Sequence, residues 1–189
     1  IASMLPISED IAFRVNILSP LASAFSVLFL YFIIVQLVNH WRGKIETNTD
    51  ALIAFGAGVV GSLTFAFTDS HWFNAVEAEV YAFSTFFTAI VVWLALLWIE
   101  KADEKGNERY ILIIAYMIGL ATGLHLLNLL TIPFVALLIY FKKFKFEWTS
   151  FAILVVITGL VFFIIHNVII KGMPKIADAI GVLSLVHIS

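Results

Sequence analysis

The sequence predicts an all-α polytopic membrane protein with about six transmembrane helices. Three observations carry that prediction. The 189 residues are 62% hydrophobic and only 13% charged, with a mean hydropathy of +1.04, well beyond the roughly half-apolar usage of soluble domains. Several apolar runs reach the ~18 to 20 residues that cross a bilayer. Between them lie short polar loops in which Lys and Arg collect on alternate sides. The net charge of −2 argues against a nucleic-acid partner. With no cysteine in the chain, disulfides and thiolate metal sites are excluded.

Residues 1–12 carry Pro6, Glu9 and Asp10 and read as a surface segment. The first span covers 13–38, with Pro20 in an early turn or at a kink. A polar loop over 39–50 leads to the second span, 51–68, whose Gly56, Gly58 and Gly61 permit close helix packing. The third span covers 80–99 and ends in the charged turn "EKADEKGNER".

Residues 110–141 are too long for one span and short for two. A single helix of that length would run ~48 Å, against a hydrocarbon core of ~30 Å. Its centre, "GLHLLNLLTIP", holds His125, Asn128 and Thr131, followed by Pro133, which suits the first turn of a helix. Two short helices are therefore predicted, 110–124 and 129–141, meeting at a turn near 125–131. Gly119 and Gly123 form a small-xxx-small pair suited to helix packing. The last span covers 148–170. Residues 171–189 read as an interfacial tail or the start of a next element. The opening "IASMLPISED" lacks a basic segment followed by an apolar one and begins with Ile, so the chain is expected to be part of a longer protein.

Charge distribution sets an expected topology. With two helices over 110–141, loops 39–50, 100–109 and 142–147 share one side. They hold Arg42, Lys44, Lys101, Lys105, Arg109, Lys142, Lys143 and Lys145, against Arg14, Lys171 and Lys175 on the other: 8 to 3. A single long helix would give 7 to 4. The positive-inside rule prefers the first arrangement and puts those three loops in the cytoplasm. Residues 69–79 and 124–131, free of Lys and Arg, then face outward.

The outward segment "HWFNAVEAEVYAFS", residues 71–84, concentrates polar side chains in an apolar chain. On a helix capped by Asp69 or Ser70, Asn74, Glu77, Tyr81, Ser84 and Thr88 recur at spacings of 3, 4, 3 and 4, one continuous face. His71 extends it outward. Trp72, Phe83 and Phe86 lie opposite. Glu79 is rotated by about 200° from Glu77, so the two do not form an acid/base dyad on this helix. A polar stripe on a spanning helix faces a cavity or a partner, because an unpaired carboxylate in the membrane centre is costly. A helix start at headgroup level accounts for the same carboxylates without a site. His125 and Asn128 likewise read either as polar caps on a membrane turn or as lining of the same outward cavity as Glu77 and Tyr81. His40 reads as interfacial, and His166 and Asn167 as structural. No nucleotide-binding or metalloprotease fingerprint is present.

Two stretches, "WFNAVEAEVY" and "GLHLLNLLTIP", together resemble bacterial membrane proteins related to the protein O-mannosyltransferase-like enzymes of the GT-C superfamily. The resemblance covers 1–170 and implies a partial GT-C-like membrane domain in the bacterial cytoplasmic membrane. It implies a hexose, such as mannose, moved from a polyprenyl-phosphate donor to a protein hydroxyl on the outer face. Membrane lipid, lipid-linked sugar donor and protein acceptor are the implied partners. Trp72, Glu77, Glu79 and Tyr81 would lie on an outward helix near the active cavity, and His125 and Asn128 on a short helix pair. The family's acidic motif in the first outer loop has no counterpart here, since Glu9 and Asp10 do not match it, so the main base is expected upstream.

The candidate catalytic residues are accordingly Glu77 and His125. His71, Asn74, Glu79, Tyr81 and Asn128 are the candidate substrate contacts. A general base would deprotonate the acceptor, while cations or hydrogen-bond donors meet the charge on the leaving phosphate. Glu77 could also help hold a divalent metal, although one carboxylate does not establish a metal site. The rival readings are a transporter or channel, a haem protein ligated by His125 and His166, and a non-catalytic assembly subunit.

Overall fold

The computed structural model describes residues 9–43, 45–77, 80–172 and 174–178. All regular structure among them is helical: α1 (Ile11–Asn16), α2 (Leu18–Arg42), α3 (Asn48–Ala66), α4 (Asp69–Val76), α5 (Val80–Lys101), α6 (Glu108–Leu124), a 3-10 turn (Leu126–Leu130), α7 (Thr131–Lys143), α8 (Trp148–Ile164) and a π-turn (Ile165–Ile170). Five segments are long and apolar enough to cross a membrane: Ile11–Arg42, Asn48–Ala66, Val80–Lys101, Leu126–Lys143 and Trp148–Val168. The protein is thus an all-α polytopic membrane protein. Helix α6, with 17 residues, is about 26 Å long at 1.5 Å per residue and falls just short of the same length. Most of the tail, including all of 179–189, lies outside the described residues, as do Pro6 and Glu79.

The chain divides into two compact units, residues 1–131 and 132–189. In the first, α2 packs on both α3 and α5, α4 lies against α2, and α6 against α5. The contact faces are built from small residues. Helix α3 buries Ala54, Gly58 and Ser62, spaced by four. Helix α2 buries Ser19, Ala22, Ser23 and Ser26. Without a hydrophobic force between helices in lipid, close backbone approach and van der Waals contact do the work. The α2–α5 face adds an aromatic cluster, with Phe29 5.1 Å from Trp93 and 6.0 Å from Phe86 between ring centroids. Hydroxyls inside the helices bond to carbonyls three or four residues back, as Ser26 does to Ala22 at 2.9 Å and Thr64 to Val60 at 2.7 Å, which satisfies them where water is absent.

Helix ends follow local chemistry. Pro20 stands in the first turn of α2, and the break at Ile17 separates α1 from α2 just before it, since proline lacks an N–H and its ring clashes with the carbonyl four residues earlier. Gly43 ends α2 at a φ of 98°. Thr47 and Asp50 form a reciprocal capping box at the start of α3, and Arg42 reaches Asp50 at 3.5 Å. In the turn after α5, Gly106 adopts a φ of 81°, and the Asn107 amide donates to the carbonyls of Ala102 and Glu104.

In the second unit, the Tyr140 hydroxyl accepts from the Glu147 N–H at 3.1 Å and donates to the Glu147 carbonyl at 3.2 Å. That hydroxyl staples the turn between α7 and α8. Phe141, Phe146 and Phe151 pack around it.

The glycines separate into two groups. A Cβ at Gly58 would lie 2.8 Å from the Tyr31 ring and from Val35, and one at Gly61 would lie 2.6 Å from Ile34. These two let α3 touch α2. A Cβ at Gly56, Gly119 or Gly123 would meet nothing within 4 Å, so the packing expected at those three is not observed among the described residues. Gly58→Leu should destabilise the first unit by ~1 to 3 kcal/mol through overpacking, whereas Gly56→Ala should be neutral or slightly stabilising. Thermal unfolding of the purified chain in detergent distinguishes the two.

Candidate functional site

The polar residues of 71–88 do not lie on one helix. Helix α4 begins after Thr68, not after Asp69 or Ser70, and ends at Val76. Glu77 caps it in an extended conformation, φ −99° and ψ 137°, and α5 starts at Val80. A long-range contact meets the end of α4. The Val76 carbonyl accepts a hydrogen bond from the Asn16 side chain at 3.2 Å, sixty residues earlier in the chain, which replaces the helical partner that a continuous helix would supply. The stripe therefore divides into Asn74 and Glu77 on α4 and Tyr81, Ser84 and Thr88 on α5.

The α5 half of the stripe meets the break after α6. Helix α6 ends at Leu124, and His125 is extended, φ −149° and ψ 128°. Its backbone N–H bonds to Ala121 O at 2.9 Å. Its ring Nδ1 accepts from the Leu127 N–H at 3.2 Å and thereby caps the 3-10 turn. An Nδ1 that accepts must be unprotonated, which leaves the neutral ring's proton on Nε2. The His125 ring lies 5.3 Å from the Tyr81 ring.

Asn128 holds this arrangement. It is fully buried, at 2% exposure. Its Oδ1 accepts from Ser84 Oγ at 3.0 Å and from Thr88 Oγ at 3.1 Å, and its Nδ2 donates to Ala121 O at 2.9 Å. Thr131 Oγ donates to the Asn128 carbonyl at 2.6 Å. One amide thus ties α5, the end of α6 and the turn together. Both Oδ1 lone pairs are in use. Ser84 and Thr88, read from sequence only as members of the stripe, are its structural partners.

The remaining candidates lie elsewhere. His71 is buried at 6% exposure instead of extending the stripe outward. Its ring packs 4.4 Å from Phe65. Burial holds its pKa below the ordinary histidine value, and a hydrogen bond to the Ser23 backbone opposes the shift. A cleft of about 410 Å³ beside α2 and α4 is lined by His71, Asn16 and Ser23, among others. Neither Glu77 nor His125 lines it. Asn74 is half-buried, and Glu77 and Tyr81 are exposed. No group of three or more metal-ligating side chains occurs among the described residues.

Two outcomes follow. Asn128→Ala should destabilise the fold by ~1 to 3 kcal/mol, because it removes the hydrogen bonds that the buried amide makes with Ser84, Thr88 and the Ala121 carbonyl. A double-mutant cycle with Thr88→Val, read by chemical unfolding in detergent, should show a coupling of at least ~0.5 kcal/mol. For His71, the unfolded ring titrates near 6.5 and the folded ring below it. The unfolded state therefore binds a proton first, and stability falls as pH drops below about 6.5 until the folded ring itself titrates. His71→Gln should flatten that part of a stability–pH curve.

A family model described as the protein O-mannosyl-transferase TMEM260 N-terminal domain matches residues 1–150. No curated protein and no solved structure matches the chain. The matched region contains both the Tyr81–His125 pair and the Asn128 network. With residues 1–150 of its 189 covered, the chain belongs to the family of the TMEM260 protein O-mannosyl-transferase N-terminal domain.

Proposed function

We propose that this chain is the membrane part of a GT-C-type glycosyltransferase that moves a hexose, such as mannose, from a polyprenyl-phosphate carrier to a protein hydroxyl at the outer face of a bacterial cytoplasmic membrane. Family membership over residues 1–150 supports protein O-mannosyl transfer. The observation that carries a role for this chain's own residues is His125, whose Nδ1 is committed to the Leu127 N–H and whose Nε2–H is thereby fixed as a donor.

In the transfer, the acceptor hydroxyl loses its proton to a base, its oxygen bonds to the anomeric carbon, and the bond from that carbon to the phosphate oxygen breaks. The electron pair leaves with the polyprenyl phosphate. A positioned N–H that meets this departing charge lowers the barrier. His125 Nε2–H has that role in the proposal, and Tyr81 beside it contacts the sugar or the phosphate. Asn128 is a positioning residue, since its amide is spent on Ser84, Thr88 and Ala121. Glu77, an exposed carboxylate where α4 ends, is the candidate in this chain for accepting the acceptor's proton or orienting the acceptor. Asn74 and Glu79 would contact substrate near it. The main base would come from outside this chain.

In the full-length protein, transfer from polyprenyl-phosphate mannose to an acceptor peptide should fall about 10²-fold or more in His125→Ala, the range of a lost transition-state donor. It should fall less in Glu77→Gln if the main base lies upstream. Wild-type transfer by His125→Ala, at equal protein level, would remove His125 from the site. The sidedness is tested separately. Leu127→Cys should react with an impermeant thiol reagent added outside intact cells, and Lys145→Cys should not.

A further inference from the structure

The turn between α7 and α8 interleaves charge with aromatic rings. Residues 141–148 read "FKKFKFEW". Lys142, Lys143 and Lys145 are all exposed. Three Lys against the single Glu147 leave residues 142–147 a net charge of +2. Phe141, Phe144, Phe146 and Trp148 are each half exposed or more. Phe146 packs 5.1 Å from Trp148 and stacks on Phe141 at 6.3 Å between ring centroids. Basic residues in the last turn of a helix offset its macrodipole, which accounts for Lys142 and Lys143 at the end of α7. It does not account for Lys145, which lies beyond the helix.

A groove of about 210 Å³ starts at this turn. Tyr140 and Phe144 form one wall, and Ser150, Ile153, Leu154 and Ile157 of α8 form the other. The α8 residues follow at spacings of 3, 1 and 3, one helical face that rises about 10 Å. Ile153 and Ile157 are both more than half exposed, so the groove is open along its side. Both hydroxyl protons in the lining are spent within the protein. Tyr140 donates to the Glu147 carbonyl, and Ser150 Oγ donates to Glu147 Oε2 at 3.3 Å. The groove therefore asks for no polar partner along its length, and the rest of its wall is hydrocarbon.

The charge stands at one end of this groove. Phe144 lines it, and Lys143 and Lys145 are the chain neighbours of Phe144, with Cα atoms about 3.8 Å from its own. Lys143 shares a helical face with Tyr140, three residues earlier. The Lys145 carbonyl lies 3.5 Å from the Tyr140 hydroxyl. From either position an ammonium group reaches an anion at this end while its alkyl stem follows the apolar wall. An anion joined to a hydrocarbon chain fits both halves, and the bilayer supplies one in bulk as phospholipid. Net charge then selects the headgroup. Choline or ethanolamine would bring a second cation into a field of +2, whereas a glycerol headgroup brings the phosphate charge alone. We propose that the α7–α8 groove binds an anionic glycerophospholipid of the surrounding leaflet, with its phosphate at Lys143 and Lys145 and one acyl chain along α8 toward Ile157. Basic pockets between spanning helices hold anionic headgroups in the same way. Every residue of this site belongs to the second unit, and the proposal does not depend on the transfer reaction.

Native mass spectrometry tests this assignment. The purified chain in detergent would be titrated with phosphatidylglycerol or with phosphatidylcholine of identical acyl chains, and the bound lipid counted. One phosphatidylglycerol should bind about tenfold tighter or more, with the preference shrinking as ammonium acetate is raised. Lys143→Gln with Lys145→Gln should bring the preference down to about twofold or less. Lys101→Gln with Lys105→Gln removes the same charge from another loop and should leave the preference intact. Ile157→Trp fills the groove from its exposed side, keeps every lysine, and should weaken phosphatidylglycerol binding several-fold. Equal binding of the two lipids, the same loss in both lysine pairs, or indifference to either the Lys143/Lys145 pair or Ile157→Trp would overturn the proposal. A polyprenyl phosphate or a free fatty acid that displaces phosphatidylglycerol at equal concentration would also overturn it, and would assign the groove to that lipid instead.

Discussion

The Asn128 side chain is the interaction on which the rest of the candidate site depends. In the apolar interior of a membrane protein, a helix that stops must find partners for its last carbonyls within the protein. Helix α6 stops at Leu124, well inside the apolar stretch of the sequence. Asn128 reaches back to the Ala121 carbonyl, while Ser84 and Thr88 on α5 donate to its other end. The Ala121 carbonyl thereby accepts from both the His125 N–H and the Asn128 amide, and the turn is fixed against α5. His125 inherits its position from this arrangement. Its extended backbone and its capped Nδ1 are consequences of where the turn is held.

A second constraint acts at the break between α4 and α5. The Asn16 amide takes the Val76 carbonyl where α4 ends, and Glu77 leaves helical phase. This long-range hydrogen bond lies where the two halves of the polar stripe part. His71 lines the cleft beside α2 and α4, Asn74 and Glu77 stay at the end of α4, and Tyr81, Ser84 and Thr88 meet the turn.

The long apolar helices were legible from sequence because a bilayer would fix their length and apolarity. The break at 125–131 was legible for the same reason, since a helix over 110–141 is too long and its centre carries His125, Asn128 and Thr131. The interruption at Glu77 was not legible. Spacings of 3 and 4 describe a helix whether or not a partner sixty residues away competes for its carbonyl. The glycines make the same point. Gly119 and Gly123 have the spacing expected of a packing pair, yet among the described residues only Gly58 and Gly61 face side chains on another helix, and spacing alone does not reveal which face has a neighbour. The burial of His71 likewise depended on α4 turning toward α2, which local periodicity does not encode.

The central claim is that the Asn128-held turn presents His125 as a neutral ring with its proton on Nε2. Long-range proton–nitrogen NMR of the ¹⁵N-histidine-labelled chain, reconstituted in lipid at neutral pH, reads that tautomer directly. The account predicts a protonated Nε2 and a hydrogen-bond-accepting Nδ1 for His125, with loss of this single state in Asn128→Ala. A proton on Nδ1 of His125, or a spectrum unchanged in Asn128→Ala, would contradict it.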